Sequence, residues 1–521
     1  MHHPLSIALL STPLLQLHGV SGQALDPARR CLSLLGTAHL ENTTILQVDY
    51  IPEAMNVSTP GSCQSTAALT SAPLCRVQLV INTTSTSAVH AEAWLPDTWY
   101  GRFLGVGNGG LNGCIDYTAL DYGASLHFAT IGSDNGHDGS SGLPFLDHPE
   151  VINDFAFRAI HVEALIGKQL VSEYYGTSAT KSYYLGCSTG GRQGTQEALK
   201  FPDDYDGIVA GSPATDWNNL MGWTGIIGHA TGAVSANTTN TASPKFLSQA
   251  DWNVVSAAIL SACDTFDGLV DGIISEPDDC FFDEDALLCA ANQTMGCLTR
   301  TQVESIKQVY SPILGFHGEV LYPRYSPGAE ADPTHAAIIG GRYFSVVTDW
   351  EQYAILNVTE HDFSEFSLHD VALFNEINAG GIATFSGDLA AFRDRGGKFL
   401  TYHGRRDPLI SSTNSKRVYD LISNTLNMPS LDSFYRLFLI PGMGHCGGGL
   451  GPTSFGQSSI ASNLVNDTEH NILLALVDWV EGGAGRAPGT IIGAAVDGSM
   501  RVHCRYPMRS VWDGEEFICV V

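Results

Sequence analysis

Short strand-like runs of apolar residues come first along the chain, separated by Pro, Gly, Ser and Asn. They predict three strands, Thr44 to Tyr50, Cys75 to Asn82 and Val89 to Leu95, that form an antiparallel lead-in.

From Arg102 the pattern changes to apolar strands that alternate with helical stretches. The predicted elements are strand Arg102 to Gly107, strand Phe128 to Gly132, a long amphipathic stretch Val151 to Tyr175, strand Tyr183 to Gly186, helix Arg192 to Lys200 and strand Ile208 to Ala210. Such alternation indicates a mostly parallel sheet with helices on both faces. We therefore predict an α/β fold.

The alternation is lost over residues 216–387, which are rich in Gly, Asn and Thr and contain few clear strands. It then resumes with helix Leu389 to Arg395, strand Lys398 to His403, helix Ser415 to Leu426, strand Tyr435 to Ile440 and helix Ile472 to Glu481. We expect a core split in sequence, residues 25–215 and 388–521, around an inserted domain at 216–387.

Composition narrows the class of partner. The chain has 521 residues, of which 44% are hydrophobic, and 54 acidic against 26 basic residues give a formal charge of −28. Nucleic acid and anionic membranes both need a positive protein face, so we expect neither as a partner. No apolar run of about 20 residues follows the N-terminus, which is the length needed to span a bilayer.

Three features predict a secreted, extracellular glycoprotein. Residues 1–24 resemble a signal peptide, with an apolar run and a small-x-small cleavage site. The 12 cysteines suit an oxidising compartment. Seven Asn-x-Ser/Thr sequons are candidate glycosylation sites: Asn42, Asn56, Asn82, Asn237, Asn292, Asn357 and Asn466.

The segment Gly186-Cys187-Ser188-Thr189-Gly190 lies between a predicted strand and a predicted helix, the context of a nucleophile elbow. The glycines make room for a tight turn, and the helix N-terminus favours developing negative charge. Ser188 is therefore the candidate nucleophile.

Acyl transfer by a serine also needs a general base and an orienting carboxylate, which follow the serine in the order acid, then histidine. Asp407 and His445 fit that order, and each lies in a loop just beyond a predicted strand, at the edge where open parallel sheets keep their sites. Ser188 and His445 each adjoin a cysteine, Cys187 and Cys446. If these two are bonded, their Cα atoms lie about 5.5 Å apart, and the serine and histidine are brought together.

Backbone N–H groups for the oxyanion are expected from two places. Thr189 follows the nucleophile, and the loop Gly107-Asn108-Gly109-Gly110 resembles the HGGG-type loop that supplies a second donor. Gly109 and Gly110 are the candidates in that loop.

A second constellation of carboxylates lies in the insertion, where Asp264, Asp267 and Asp271 fall within eight residues and are spaced by glycines. Carboxylates on a short curled loop suit a hard cation such as calcium, although acidic Asp-Gly turns also occur without metal. The order of residues is not that of an EF-hand.

Together these residues resemble the tannase and feruloyl esterase family of secreted serine esterases. The likeness includes Leu185 to Gly194, Gly107 to Gly110, His403-Gly404 followed by Asp407, Gly442 to Cys446, and the aspartate-rich loop after Cys263. It implies an α/β-hydrolase core with a large lid domain, a disulfide between Cys187 and Cys446, and structural calcium in the lid.

The resemblance also implies particular ligands and disulfides. The calcium ligands would be Asp264, Asp267 and Asp271 with the carbonyls of Leu269 and Ile273. The other disulfides would be Cys31 with Cys75, Cys63 with Cys114, Cys263 with Cys280, Cys289 with Cys297, and Cys504 with Cys519. Sequence alone does not establish this connectivity.

Within the family, the length and the lid resemble the type B feruloyl esterases, which act on hydroxycinnamoyl esters of plant cell-wall polysaccharide. The alternatives are a tannase that cleaves galloyl esters, another aryl-ester hydrolase, and a non-catalytic binding protein on a hydrolase fold. The presence of all three triad residues disfavours the binding protein. A metallohydrolase that uses the aspartate-rich loop is disfavoured as well, because the loop lacks the histidines typical of catalytic zinc.

Overall fold

The computed structural model describes residue 1 and residues 26–60, 66–457 and 465–521. The signal peptide expected at residues 1–24 lies outside these ranges except for Met1. The strands are β1 (Thr43–Ile51), β2 (Met55–Ser58), β3 (Ala67–Thr70), β4 (Leu74–Asn82), β5 (Ala88–Pro96), β6 (Arg102–Val106), β7 (Ala129–Ser133), β8 (Lys181–Cys187), β9 (Gly207–Gly211), β10 (Ile313–Leu314), β11 (Val320–Tyr322), β12 (Lys398–Gly404), β13 (Tyr435–Ile440), β14 (Thr490–Ala494), β15 (Met500–Cys504), β16 (Arg509–Trp512) and β17 (Phe517–Val520).

The α-helices alternate with the strands over most of the chain. They are α1 (Pro27–Thr37), α2 (Tyr117–Ser125), α3 (Pro149–Asn153), α4 (Ala159–Tyr175), α5 (Thr189–Lys200), α6 (Trp217–Ala230), α7 (Gln249–Cys263), α8 (Arg300–Val309), α9 (Ala336–Ile339), α10 (Ser345–Asp349), α11 (Leu368–Ile377), α12 (Ala390–Asp394), α13 (Thr413–Thr425) and α14 (Ile472–Gly482). A π-helical turn, Asp154–Arg158, joins α3 to α4, so the predicted amphipathic stretch is one helical segment.

Nine of the described strands form one sheet, in the order β1-β4-β5-β7-β6-β8-β9-β12-β13. The pairs β1 with β4, β4 with β5, and β5 with β7 are antiparallel, and every later pair is parallel. The predicted antiparallel lead-in and the α/β class are both confirmed, and the arrangement is that of an α/β-hydrolase.

Helices cover both faces of this sheet because its parallel strands are apolar on both sides. Leu170 of α4 and Val418 of α13 pack on one face, and Leu120 of α2 and Leu476 of α14 pack on the other. Successive residues of a strand point to opposite faces. The buried rings of Tyr183 and Tyr184 in β8 accordingly belong to different cores.

The segment between β9 and β12 adds no strand to the main sheet in the part of the chain that is described. It has its own hydrophobic core, which contains Trp217, Trp223, Trp252 and Trp350. That core also includes Phe155 from the sheet-bearing part, so the segment packs directly on it. We call residues 216–387 the lid, with the bounds that the sequence predicts.

Some elements were not predicted from the sequence pattern. They include helices α1 and α2, the helices and the hairpin β10–β11 of the lid, and the hairpins β2–β3, β14–β15 and β16–β17. The first turn of α5 was also missed, because the helix begins at Thr189 rather than at Arg192. Across the described ranges, none of the helices is long and apolar enough to cross a bilayer.

Candidate active site

Ser188 lies at the turn between β8 and α5 in a backbone conformation that few residues other than glycine adopt, with φ 63° and ψ −120°. Its N–H donates a 2.9 Å hydrogen bond to the carbonyl oxygen of Gly211 at the end of β9. A Cβ atom on Gly186 would lie 2.7 Å from the carbonyl carbon of Gly190. The turn therefore needs glycine on each side of the serine, as a nucleophile elbow does.

Asp407 and His445 meet beyond the ends of β12 and β13, which are parallel neighbours. The Nδ1 atom of His445 lies 2.8 Å from Oδ2 of Asp407. The other carboxylate oxygen of Asp407 accepts the N–H groups of Leu409 and Ile410, at 2.9 and 3.1 Å. These contacts fix the carboxylate, and the histidine keeps Nε2 available for another partner.

A disulfide between Cys187 and Cys446 links the two loops, with 5.9 Å between the Cα atoms. Ser188 and His445 are the residues next to these cysteines. No hydrogen bond joins Ser188 to His445 among the described residues. Catalytic hydrogen bonds are often long without substrate and shorten in the reactive complex, so the absence of this bond does not exclude Ser188 and His445 as a catalytic pair.

Asp407 and His445 each stabilise the charged form of the other. Burial alone would raise the pKa of Asp407, but His445 and His403 beside it hold that pKa well below its usual range. Burial opposes charging of His445, yet the charge and hydrogen bond of Asp407, followed by the charge of Asp332, raise its pKa above the usual value. His445 is thus a stronger base than an isolated histidine.

His403 is a second histidine beside Asp407, and no role for it was predicted from the sequence. Its buried ring places Nε2 3.0 Å from the carbonyl oxygen of Ile410 and 3.3 Å from Oδ2 of Asp407. Both neighbours are acceptors, so Nε2 carries the hydrogen, and Nδ1 accepts from the hydroxyl of Ser415 at 2.7 Å. Its position four residues before Asp407, at the end of a predicted strand, is the one sequence signal for it.

Asp332 is a lid residue that also escaped prediction. Its carboxylate is buried, and a Cβ atom on Gly444 would lie 2.7 Å from Oδ2 of Asp332. The other oxygen, Oδ1, accepts from the N–H and the hydroxyl of Thr334. The lid thus places a second carboxylate against the loop that carries His445.

The glycine-rich loop after β6 lies against the start of α5. The hydroxyl of Thr189 donates a 2.8 Å hydrogen bond to the carbonyl oxygen of Gly110. The N–H groups of Gly109, Gly110 and Thr189 donate to no acceptor within the described ranges. Open space lies where a Cβ atom of Gly109 or Gly110 would be. These three N–H groups are free to bind an oxyanion.

The aspartate-rich loop of the lid is bracketed by the disulfide between Cys263 and Cys280. Asp264 Oδ1 accepts from the N–H of Gly272 at 2.9 Å, and Asp271 Oδ1 accepts from the N–H of Ile273 at 3.0 Å. The second oxygen of each carboxylate has no hydrogen-bond partner in the described structure.

The three aspartates of this loop are close enough for the charges of two of them to affect the pKa of the third. Burial, and then the charges of Asp267 and Asp264, raise the pKa of Asp271. Asp267 is also paired with the buried Arg501 at 2.9 Å. The carboxylates and backbone carbonyls of this loop offer oxygen atoms alone, the type of ligand that a hard cation such as calcium prefers.

A different group of side chains lies close enough together to hold a metal ion. The ligand atoms of His161, Glu197 and Asp204 all lie within 4.8 Å of one another. His161 Nδ1 is 2.6 Å from Asp204, while burial and the charge of Asp204 raise the pKa of Glu197 well above its usual range. Nothing in the sequence pattern indicated this group, because its members come from α4, α5 and the loop between α5 and β9.

The other predicted disulfides and sequons belong to neither the catalytic group nor the aspartate-rich loop. Disulfides join Cys31 to Cys75, Cys289 to Cys297, and Cys504 to Cys519. Cys114 is also disulfide-bonded, and its predicted partner Cys63 lies outside the described residues. All seven sequon asparagines are exposed: Asn42, Asn56, Asn82, Asn237, Asn292, Asn357 and Asn466.

Comparison with known proteins points to one family. The profile of "Tannase and feruloyl esterase" matches residues 75–386 and 376–520. A probable feruloyl esterase B-2 of Aspergillus oryzae is 41% identical over 498 residues, which is 93% of each chain. A probable feruloyl esterase B of Aspergillus clavatus is 42% identical over 502 residues, again 93% of each chain.

Solved structures agree with this result. The crystal structure of feruloyl esterase B from Aspergillus oryzae matches with a TM-score of 0.90 and 38% identity, and covers 95% of this chain and 100% of that one. Tannin acyl hydrolase from Aspergillus niger matches with a TM-score of 0.72 over 95% of each chain, at 22% identity. The second likeness concerns the fold alone.

Proposed function

This chain belongs to the tannase and feruloyl esterase family and is a carboxylic ester hydrolase, and we propose that it releases ferulic, p-coumaric or related hydroxycinnamic acids from esters on plant cell-wall polysaccharide. The observation that supports this most is the hydrogen bond between Asp407 and His445, in a loop that the Cys187–Cys446 disulfide joins to the elbow of Ser188. The chain that carries this arrangement is 41% identical to a probable feruloyl esterase. We propose that the lid, whose aromatic core packs on the sheet-bearing part, determines which acyl group is accepted.

Acylation begins when His445 Nε2 accepts the proton of the Ser188 hydroxyl as its oxygen attacks the ester carbon. The carbonyl oxygen becomes an oxyanion, and the N–H groups of Thr189, Gly109 and Gly110, which have no other acceptor in the described residues, bind it. His445 then donates the proton to the leaving alcohol, and the acyl group stays on Ser188.

Deacylation repeats these steps with water as the nucleophile. His445 accepts a proton from water, the hydroxide attacks the acyl carbon, and the proton returns to the oxygen of Ser188 as the carboxylic acid leaves. Throughout, Asp407 holds the ring by its hydrogen bond to Nδ1 and stabilises the imidazolium.

We also propose that calcium binds in the lid. Asp264, Asp267 and Asp271 with the carbonyls of Leu269 and Ile273 would hold it, and the ion would neutralise carboxylates that otherwise repel one another. Its role is structural, because none of the three carboxylates belongs to the catalytic group.

We also propose that the protein is secreted and glycosylated. The five disulfides described here suit an oxidising compartment. The seven exposed sequon asparagines suit glycan attachment. We therefore place the enzyme outside the cell, where plant cell-wall esters occur.

The test compares turnover of methyl ferulate, methyl caffeate, methyl p-coumarate and methyl gallate by the purified protein, with Ser188→Ala as the control. Fast hydroxycinnamate turnover that Ser188→Ala abolishes is the expected result. Fast gallate turnover with negligible hydroxycinnamate turnover would make the protein a tannase, and full activity in Ser188→Ala would exclude this nucleophile.

A further inference from the structure

Gln193 lies on α5, one turn beyond the nucleophile elbow, and its side chain is 2% exposed. Its amide oxygen accepts the backbone N–H of Asn108 at 3.0 Å. Its amide nitrogen donates to Oδ1 of the same Asn108, also at 3.0 Å, and to Oδ1 of Asn135 at 3.0 Å. The buried side chain of Gln193 therefore bonds to both the backbone and the side chain of Asn108 in the glycine-rich loop.

Asn108 is also hydrogen-bonded to neighbouring parts of the chain. Its amide nitrogen donates to the carbonyl oxygens of Cys114 and Ser133, at 2.9 and 2.8 Å. Every polar atom of the Asn108 side chain is thus bonded, and Gln193 is its link to the helix that carries Ser188.

Close packing leaves the loop little freedom around this contact. A Cβ atom on Gly107 would lie 2.8 Å from Cα of Gly190 and 2.9 Å from the amide oxygen of Gln193. The hydroxyl of Tyr184, on β8, donates to the carbonyl oxygen of Gly190 at 2.8 Å and lies 3.3 Å from Gln193. The loop and the helix therefore meet through glycine backbone, the amide side chain of Gln193 and the hydroxyl of Thr189.

We propose that Gln193 is a positioning residue for the oxyanion site, an inference that rests on the proposed esterase function. A glycine-rich loop has many accessible conformations, and oxyanion donors act only when they lie within about 2.7–3.1 Å of the developing charge. Thr189 and Gln193 belong to the same helix as the turn at Ser188. By bonding Asn108 to that helix, Gln193 sets Gly109 and Gly110 in register with the nucleophile.

Because the oxyanion forms only in the transition state, loss of this register should lower kcat more than it changes KM. A merely structural role would lower the melting temperature and the fraction of folded enzyme, but it would leave kcat per working site unchanged. The two roles are therefore separable by active-site titration.

The test is Gln193→Met, which keeps the length of the side chain and removes its hydrogen bonds. Gln196→Met is the matched control, since Gln196 is a buried glutamine on the same helix with no side-chain hydrogen bond in the described structure. Active sites are counted with a phosphonate ester that traps the serine, and kcat and KM are measured on methyl ferulate.

We expect Gln193→Met to lower kcat per titrated site about 10- to 100-fold, less than the roughly 10²- to 10³-fold cost of losing an oxyanion donor outright, because the donors are displaced and not removed. KM should change less than about threefold, and Gln196→Met should stay within about twofold of the wild type on both constants. Affinity for an arylboronic acid, which forms a tetrahedral adduct with the serine, should fall with kcat, while affinity for ferulate should not.

Equal kcat per site in Gln193→Met and Gln196→Met would overturn the inference, as would a loss confined to KM. If Gln193→Met does not fold, Tyr184→Phe removes the adjoining hydroxyl, and a normal kcat per site in that variant would count against the inference. Wild-type protein without esterase activity would instead refute the proposed function, so the two failures are distinguishable.

Discussion

Cys187 and Cys446 are joined by a disulfide although 259 residues separate them, and their Cα atoms lie 5.9 Å apart. Cys187 is the last residue of β8 and Cys446 lies in the loop after β13, and these two strands have β9 and β12 between them in the sheet. At about 4.8 Å per strand spacing, the ends of β8 and β13 are roughly 14 Å apart. The loops after these strands therefore extend towards each other. The disulfide keeps Ser188 near His445, because each of them is the neighbour in sequence of one of the bonded cysteines.

Replacing both cysteines, Cys187→Ala with Cys446→Ala, should lower kcat about tenfold while the fold is kept, because Ser188 and His445 lose their tether. The free energy of unfolding should fall by about 2–5 kcal/mol, since the disulfide closes a very long loop. Activity assays and thermal denaturation measure the two effects.

Cys289→Ala with Cys297→Ala is the control for this pair, because that disulfide spans only 8 residues in the lid. It should change stability less and leave kcat unaltered. Unchanged kcat in the Cys187 and Cys446 double variant would leave its disulfide a role in stability alone.

Asp407→Asn should lower kcat by about 10³- to 10⁴-fold, because an amide at this position no longer selects the tautomer of His445 that has Nε2 free. The fold should persist, since the N–H groups of Leu409 and Ile410 can still bond to the amide oxygen. Steady-state kinetics and circular dichroism test this, and Asp420→Asn, on α13, provides the matched control. Near-normal kcat in Asp407→Asn would exclude it as the orienting acid.

The acid limb of the pH–rate profile should report His445. The base must be neutral to accept a proton, so activity should fall as the pH drops through the raised pKa of His445. Asp332→Asn removes a nearby negative charge, disfavours the imidazolium and lowers that pKa. The acid limb should then move to lower pH.

Measuring kcat/KM against pH for Asp332→Asn tests this direction. Asp362→Asn makes the same charge change at an exposed position of the lid and should leave the profile in place. A shift to higher pH in Asp332→Asn, or equal shifts in both variants, would contradict the assignment.

Removal of calcium by a chelator should lower the melting temperature, because an ion bound by the native state alone stabilises it by about 2.7 kcal/mol at a concentration 100 times its Kd. Asp264→Asn and Asp271→Asn should abolish this dependence. Asp497→Asn, on an exposed turn, should retain it. A melting temperature that is insensitive to chelator and to added calcium would exclude the calcium site.

Much of the fold was predictable because the signals are local. The strand Tyr435–Ile440 has the predicted bounds, β12 extends one residue beyond its predicted end, and α13 differs from its prediction by two residues at the start and one at the end. The first turn of α5 was missed because its glycines disfavour helix in isolation. In the structure Gly190 packs against the loop of Gly107, and a Cβ atom on Gly191 would collide with the carbonyl oxygen of Gly211.

The amino-acid sequence by itself determined the alternation of strands and helices and the order of Ser188, Asp407 and His445, because side-chain periodicity and turn chemistry are properties of neighbouring residues. Only the tertiary structure decided that His403 and Asp332 lie beside the catalytic pair and that Gln193 grips Asn108. Those contacts join residues as many as 113 positions apart. Their existence depends on how helices, strands and lid pack, and burial in that packing also sets the pKa values on which the chemistry depends.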